Sequence, residues 1–236
     1  MTKSLEEIQK KLNSLGNKEK AKKHQRFFKT GPGEYGEGDI FVGVTVPELR
    51  KLVNEYKTMP LKEVKHLLRS PIHEERLLSL FLLIHRYSKG GEPEKKKIYE
   101  LYLNNTKFIN NWDLVDSSAG HIVGAFLFDK SKKPLYDLVK SENLWERRIS
   151  IISSFYFIKH NQFADTLKIA KILLPDKEDL IHKAVGWMLR EVGKRDISIE
   201  EPFLKKHYKN MPRTMLRYAI EKFAESRRQR YLKGKI

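Results

Sequence analysis

HLLRSPIHEERLLSLFLLI (66–84) and DLVKSENLWERRISIISSF (137–155) are two copies of one pattern. Their polar positions match without a gap, pairing Ser70 with Ser141, Glu75 with Glu146 and Arg76 with Arg147. The copies are therefore offset by 71 residues, the difference between 147 and 76. Half of that offset, about 35 residues, accommodates two helices and two turns, the unit of stacked helix-pair proteins. The match predicts a fold built from repeated helix pairs.

The period continues beyond the two copies. Steps of about 35 residues from Arg76 reach Trp112, Arg147 and His182, with Arg213 a slightly shorter step beyond. The Trp, Gly, Tyr and Pro consensus of TPR repeats is missing, so HEAT-like repeats fit better. We therefore predict an all-α fold, a right-handed α-solenoid of HEAT-like helix pairs whose second helices line a concave basic face.

Apolar spacing supports helices through most of the chain. Apolar residues recur three and four positions apart in segments such as LEEIQKKLNSL and HKAVGWMLREV. Pro, Gly, Asn or Ser interrupt these segments, and we interpret the breaks as short turns. DIFVGVTV (39–46) is rich in β-forming residues but isolated. We expect a single domain over 1–236, with repeats over roughly 20–225 and a basic C-terminal tail at 226–236.

The charge balance indicates a polyanionic partner. The chain has 47 Lys and Arg against 30 Asp and Glu, a formal net charge of +17. Because the basic residues are spread along the chain and not gathered on one amphipathic segment, nucleic acid is favoured over a membrane surface. A basic soluble protein without such a partner is the alternative that charge alone leaves open.

Several classes of site are excluded by what the sequence lacks. Cysteine is absent, which excludes disulfides, thiol catalysis and thiolate metal ligands and suits a reducing cytosol. There is no signal-peptide run, and no stretch approaches the roughly 18–20 apolar residues of a membrane span. The eight histidines are scattered without metal-ligand spacing. We therefore expect a cytoplasmic monomer that uses no metal and no cofactor.

Two short motifs have structural explanations. GPGEYG (31–36) matches G-x-G-x-x-G, but it neither follows a buried strand nor opens a helix, so we interpret it as a glycine-rich loop. Ser117 and Ser118 have no G-x-S-x-G setting and no histidine partner. They are interpreted as polar groups near a helix start.

The repeat register places chemically active side chains in columns. Three equivalent positions of successive repeats hold charged residues, Asp113, Arg148 and Lys183. Trp112 and Asp116 lie four residues apart on one helix face, as do Lys183 and Trp187. The register therefore predicts a cluster of two tryptophans, one or two carboxylates and an arginine near the starts of neighbouring helices.

Each of these residues also has a structural explanation when taken alone. Trp112 and Trp187 have the helical spacing of core anchors. Asp116 fits a first-turn carboxylate that interacts with the helix dipole. Arg147 and Arg148 fit a solvated pair. Their coincidence in register across successive repeats is what favours a functional site.

Several ordered motifs resemble one family. NWDLVD (111–116), LWERR (144–148) and KAVGWMLRE (183–191) are similar to motifs of the AlkD-type DNA alkylation repair proteins, which are HEAT-like-repeat DNA glycosylases. FVGVTVPELR (41–50) and MPRTMLRYAIEK (211–222) support the resemblance. It implies a helical solenoid that wraps double-stranded DNA. It also implies excision of N3- or N7-alkylated purines, such as 3-methyladenine and 7-methylguanine, without a metal.

The resemblance also implies roles for individual residues. Trp112 and Trp187 match the aromatic residues that contact the lesion nucleotide, Asp116 matches the catalytic carboxylate, and Arg148 matches the arginine that binds near it. The expected phosphate ligands are the basic residues of the later repeats, Arg147, Arg148, Lys183, Arg190, Arg213 and Arg217.

The chain departs from the best-known excising members at two places. Phe27 stands where those members have a tyrosine, and the loop at 30–39 is longer and more acidic. Two alternatives to a glycosylase therefore stay open. One is a non-catalytic protein of the same family that binds DNA of particular structure, and the other is a solenoid that binds proteins.

Overall fold

The computed structural model describes residues 4–236, most of which are helical. Within this range the β-rich segment 39–46 contributes only an isolated bridge between Ile40 and Ile72, and no strand forms. The prediction of an all-α fold is confirmed. The chain divides into two compact units, one ending at Ser118 and the other beginning at Ala119.

The helices of the first unit follow one another with short connections. They are α1 (Leu5–Leu15), α2 (Lys18–Phe27), α3 (Val46–Tyr56), α4 (Leu61–Leu68), α5 (His73–Lys89), α6 (Glu92–Leu103), a 3-10 turn (Thr106–Phe108) and α7 (Trp112–Ala119). The boundary between the units falls in the last turn of α7.

The second unit opens with a π-helical turn (Gly120–Gly124). Its further helices are α8 (Ala125–Leu127), α9 (Lys133–Leu138), α10 (Leu144–Lys159), α11 (Ala164–Ile172), α12 (Asp179–Arg195), α13 (Ile197–His207), α14 (Arg213–Ala219), a 3-10 turn (Ile220–Lys222) and α15 (Glu225–Leu232).

The two copies of the repeated pattern form central helices. Helix α5 packs on α3 and α4, and α10 packs on α9, α11 and α12. Both helices bury most of their residues, because neighbours cover them on several sides and their apolar residues run all round the helix.

Equivalent hydrogen bonds join each helix pair. The hydroxyl of Ser79 donates to the Val64 carbonyl at 2.7 Å, and the hydroxyl of Ser150 donates to the Leu135 carbonyl at 2.8 Å. Both partners are displaced by the same 71 residues in the sequence. The repeat register is therefore confirmed at the level of single contacts.

The matched arginines have equivalent roles as well. Arg76 Nη1 donates to the carbonyl of Ser70 at 3.0 Å and to the next carbonyl at 3.2 Å. Arg147 Nη1 donates to the carbonyl of Ser141 at 3.0 Å and to the next at 2.9 Å. Each arginine thus closes the turn before its own helix, and the matched serine hydroxyls accept from the N–H two residues later, at 3.0 and 3.1 Å, which explains why Ser and Arg recur together.

The first turn of α5 buries four charged side chains, His73–Arg76. The Glu74 carboxylate accepts from the backbone N–H of Gly43 at 2.8 Å and from that of the preceding residue at 3.1 Å. Glu75 accepts from Gln9 of α1 at 2.9 Å. Because these charges are bonded to segments that precede α5 in the chain, they hold the N-terminal part of the unit in place.

The basic tail predicted at 226–236 is largely folded. Most of it lies in α15, and the ring of Tyr231 is buried. That ring meets the ring of Tyr208 edge-on, with the centroids 5.5 Å apart. An aromatic anchor therefore fixes a helix that is otherwise polar.

Candidate functional site

Trp112 begins α7 within an aromatic cluster. Its backbone N–H donates to the side chain of Asn111 at 2.8 Å. Its indole stacks on Phe28, with a centroid distance of 5.2 Å and an interplanar angle of 22°, and meets Phe27 edge-on at 5.8 Å. Trp112 is partly exposed and Phe27 is 64% exposed. The cluster therefore presents aromatic surface to solvent, unlike a closed core.

A buried charge network underlies this cluster. The ring nitrogens of His73 donate to two carboxylates, Nδ1 to Asp39 at 2.9 Å and Nε2 to Asp113 at 2.8 Å. Arg76 Nη2 donates to the other oxygen of Asp39 at 2.6 Å. The His73 ring also stacks on Phe41, 4.4 Å between centroids. Since Asp113 follows Trp112 in the chain, the network fixes the first turn of α7.

The network favours the charged forms of His73 and Asp39 in spite of burial. Burial lowers the pKa of His73, but the negative charge of Asp113 and the hydrogen bonds to Asp113 and Asp39 outweigh it and raise the pKa above its ordinary value. Burial likewise raises the pKa of Asp39, while His73 and Arg76 together bring it below its ordinary value. A hydrogen-bond partner at each ring nitrogen thus favours the protonated form of His73.

Asp116 lies one turn after Trp112 on the same helix and is partly exposed. Burial, together with the negative charge of Asp116, raises the pKa of the Tyr102 hydroxyl. That hydroxyl shares a hydrogen bond of 2.9 Å with Ser118, which is buried, and Ser117 donates to the carbonyl of Leu114 at 3.3 Å. The structure thus brings Trp112 and Asp116 together on α7. The hydroxyls of the two serines form hydrogen bonds within the first unit.

The glycine-rich loop uses its acidic residues locally. The carboxylate of Glu34 accepts from the N–H of Gly31, and that of Glu37 from the N–H of Gly33, both at 2.9 Å. The loop continues to Asp39, so it delivers one carboxylate of the charge network. Its interpretation as a loop is consistent with these turns.

Three further candidates lie on α10 and α12 of the second unit, which pack against each other. Arg148 is buried, and its Nη1 donates to the carbonyl of Leu180. Trp187 lies midway along α12 and not near its start, is partly exposed, and donates from Nε1 to Glu191 at 3.1 Å. Lys183 pairs with Asp179 at 2.7 Å.

Some of the remaining predicted phosphate ligands are already paired with carboxylates of the protein, and others are exposed. Arg147 pairs with the carboxylate of Asp176 at 2.7 Å, in addition to its two carbonyl bonds. Arg190 pairs with Glu221. Exposed Arg213 donates to a backbone carbonyl at 3.1 Å, and Arg217 is exposed.

Residues 4–236 contain neither a cluster of metal-ligating side chains nor a membrane-spanning helix. In residues 4–236, no three His, Asp or Glu side chains are grouped as metal ligands would be. None of the helices there is long and apolar enough to cross a bilayer.

One comparison with known proteins shows a family. The family model described as DNA alkylation repair enzyme matches residues 8–223. A comparison with curated proteins gave no significant match.

Among solved structures, a predicted DNA alkylation repair enzyme from Enterococcus faecalis is similar, with a TM-score of 0.68 and 18% identity over 89% of this chain and 97% of that one. AlkD2 from Streptococcus mutans gives a TM-score of 0.53 and 19% identity over 88% and 99%. The protein smu.31 from Streptococcus mutans UA159 gives a TM-score of 0.52 and 22% identity over 75% of this chain and 91% of that one. At these identities the likeness shows a shared fold.

Proposed function

Because the chain belongs to the DNA alkylation repair enzyme family, we propose that it hydrolyses the N-glycosidic bond of cationic N3- or N7-alkylated purines in double-stranded DNA. The expected substrates are 3-methyladenine and 7-methylguanine. The observation that carries the proposal is the face of α7 on which Trp112 and Asp116 lie one turn apart, both partly exposed.

This face suits the chemistry of the reaction. An alkylated purine that already carries a positive charge is a good leaving group, so the enzyme mainly has to stabilise an oxocarbenium-like sugar and deliver water. At about 4 Å and an effective dielectric constant near 20, a carboxylate such as Asp116 attracts the sugar cation by roughly 4 kcal/mol, about a thousandfold in rate. The face of an indole contributes about 0.5–2 kcal/mol more.

The other candidates receive roles from the resemblance. Trp187 is assigned to the lesion nucleotide, and Arg148 to the phosphate near it. Lys183, Arg190, Arg213 and Arg217 are assigned to further phosphates. Arg147, whose guanidinium is held by Asp176 and two carbonyls, orients the start of α10 next to Arg148. In this proposal the protein acts in the cytoplasm as a monomer, without a metal or cofactor.

Base release from methylated duplex DNA tests the proposal. Wild type should release 3-methyladenine or 7-methylguanine, and Asp116→Asn should bind the same DNA yet release at least about a hundredfold less base per unit time. Asp129→Asn is the matched control, because it makes the same chemical change at an exposed position outside the proposed site. Tight binding without release by wild type would identify a non-catalytic DNA-binding protein instead.

A further inference from the structure

Helix α2 carries a concentration of positive charge that the predicted phosphate ligands do not include. Five of its ten residues are Lys or Arg, against one Glu, and none of the ten is buried. Lys22, Lys23 and Arg26 are exposed, and none of them has an ion-pair partner within residues 4–236. The second unit differs, since Arg147, Arg190 and Lys183 face carboxylates there.

The opposite side of α2 is fixed to the rest of the first unit. The N–H of Asn17, which caps the helix, donates to the carbonyl of residue 42 at 2.8 Å. Gly43 packs so closely that a side chain there would come within 2.7 Å of the Ala21 nitrogen. His24 lies 3.7 Å from Glu74 and meets the ring of Phe41 edge-on. With this side held, helical geometry turns Lys22, Lys23 and Arg26 outward.

The charged face leads directly to the aromatic cluster. Helix α2 ends at Phe27, whose exposed ring meets Trp112 edge-on at 5.8 Å. The exposed cations of α2 therefore lie on the helix that ends beside Trp112, the tryptophan that we assign to the lesion nucleotide.

We propose that Lys22, Lys23 and Arg26 on the outward face of α2 bind backbone phosphates of the DNA duplex that flanks the nucleotide at Trp112. This inference rests on the proposed function. Duplex DNA suits the face because it presents a dense row of negative charges. A lipid surface suits it less, because Phe27 at its end is the one exposed large apolar side chain of α2, which leaves little apolar surface to bury in a membrane.

The test compares two triple variants of the full chain, each of which removes three positive charges from the first unit. One is Lys22→Gln/Lys23→Gln/Arg26→Gln. The control is Lys95→Gln/Lys96→Gln/Lys97→Gln in α6, where Lys95 and Lys96 lie 3.8 Å from glutamate oxygens. Binding to unmodified and methylated duplexes is measured from low to high salt. The α2 variant should lose at least about tenfold in affinity near 0.1 M salt, and its log–log salt slope should be less steep by about 2–3.

The outcomes separate this inference from the proposed function. The inference is supported if the affinity of the α2 variant depends less steeply on salt than that of wild type while the salt dependence of the α6 variant is unchanged. This holds whether or not wild type releases bases. Equal effects of the two variants overturn it, since net charge alone then explains binding, and so does an unchanged slope in both. Binding of wild type to phosphatidylserine vesicles that the α2 variant loses, with DNA binding intact, also overturns it.

Discussion

One added methyl group at Gly186 should destabilise the second unit strongly. Gly186 lies in α12 where that helix crosses α14, and a Cβ there would come within 2.4 Å of the Met215 carbonyl oxygen and 2.5 Å of the Tyr218 Cβ. Neither atom can swing aside as the end of a flexible side chain can. Because real Cβ atoms essentially never approach closer than 3.0 Å, Gly186→Ala forces the two helices apart.

The expected magnitude follows from two opposing effects. Overpacking of this kind costs about 3 kcal/mol, and replacing glycine by alanine in a helix returns about 1 kcal/mol. Gly186→Ala should therefore lower the free energy of unfolding by about 2 kcal/mol and the melting temperature by about 4–8 °C.

Gly120→Ala is the matched control, because its Cβ would find its nearest neighbour at 3.6 Å, an ordinary contact. It should leave stability unchanged or raise it by about 0.5–1 kcal/mol. Urea unfolding followed by circular dichroism measures both variants. If Gly186→Ala were as stable as wild type, or if the two variants behaved alike, the close approach of α12 and α14 would be refuted.

Two further predictions concern charged groups. The raised pKa of His73 means that its protonation stabilises the native state fully below about pH 6.5 and that this contribution is lost as pH rises through the native pKa. His73→Gln should reduce the fall in unfolding free energy as pH rises above about 6.5 in urea titrations. An unchanged slope would contradict the raised pKa of His73 between Asp39 and Asp113. Arg147→Ala leaves Asp176 without its cation and should lower the free energy of unfolding by about 3 kcal/mol; weaker DNA binding without any loss of stability would instead make Arg147 a direct phosphate ligand.

The helices could be predicted because their apolar spacing is local information. LEEIQKKLNSL is α1 residue for residue, and the repeat match placed Ser79 and Ser150 in equivalent bonds without any knowledge of the bonds themselves. The face shared by Trp112 and Asp116 could be predicted for the same reason, because two residues four positions apart on a helix are always neighbours on its surface.

The charge network around His73 could not be predicted from local spacing. His73 bonds to carboxylates 34 and 40 residues away, and one of them arrives on a loop whose path no periodicity encodes. The only sign in the sequence was four charged residues, HEER, at the start of an otherwise apolar helix. Arg147 shows the same limit, because its partner Asp176 lies 29 residues further along, in a turn.

The buried first turn of α5 also determines when the N-terminal part of the chain can fold. Gln9 finds its partner 66 residues later, and Asp39 finds Arg76 37 residues later. As the chain leaves the ribosome, the contacts of Gln9 with Glu75 and of His24 with Glu74 cannot form until α5 has been synthesised, and closing such long loops is slow. A nascent chain that ends before residue 73 therefore lacks the contacts of α1 and α2 with α5, and α2 is held by the segment around Gly43.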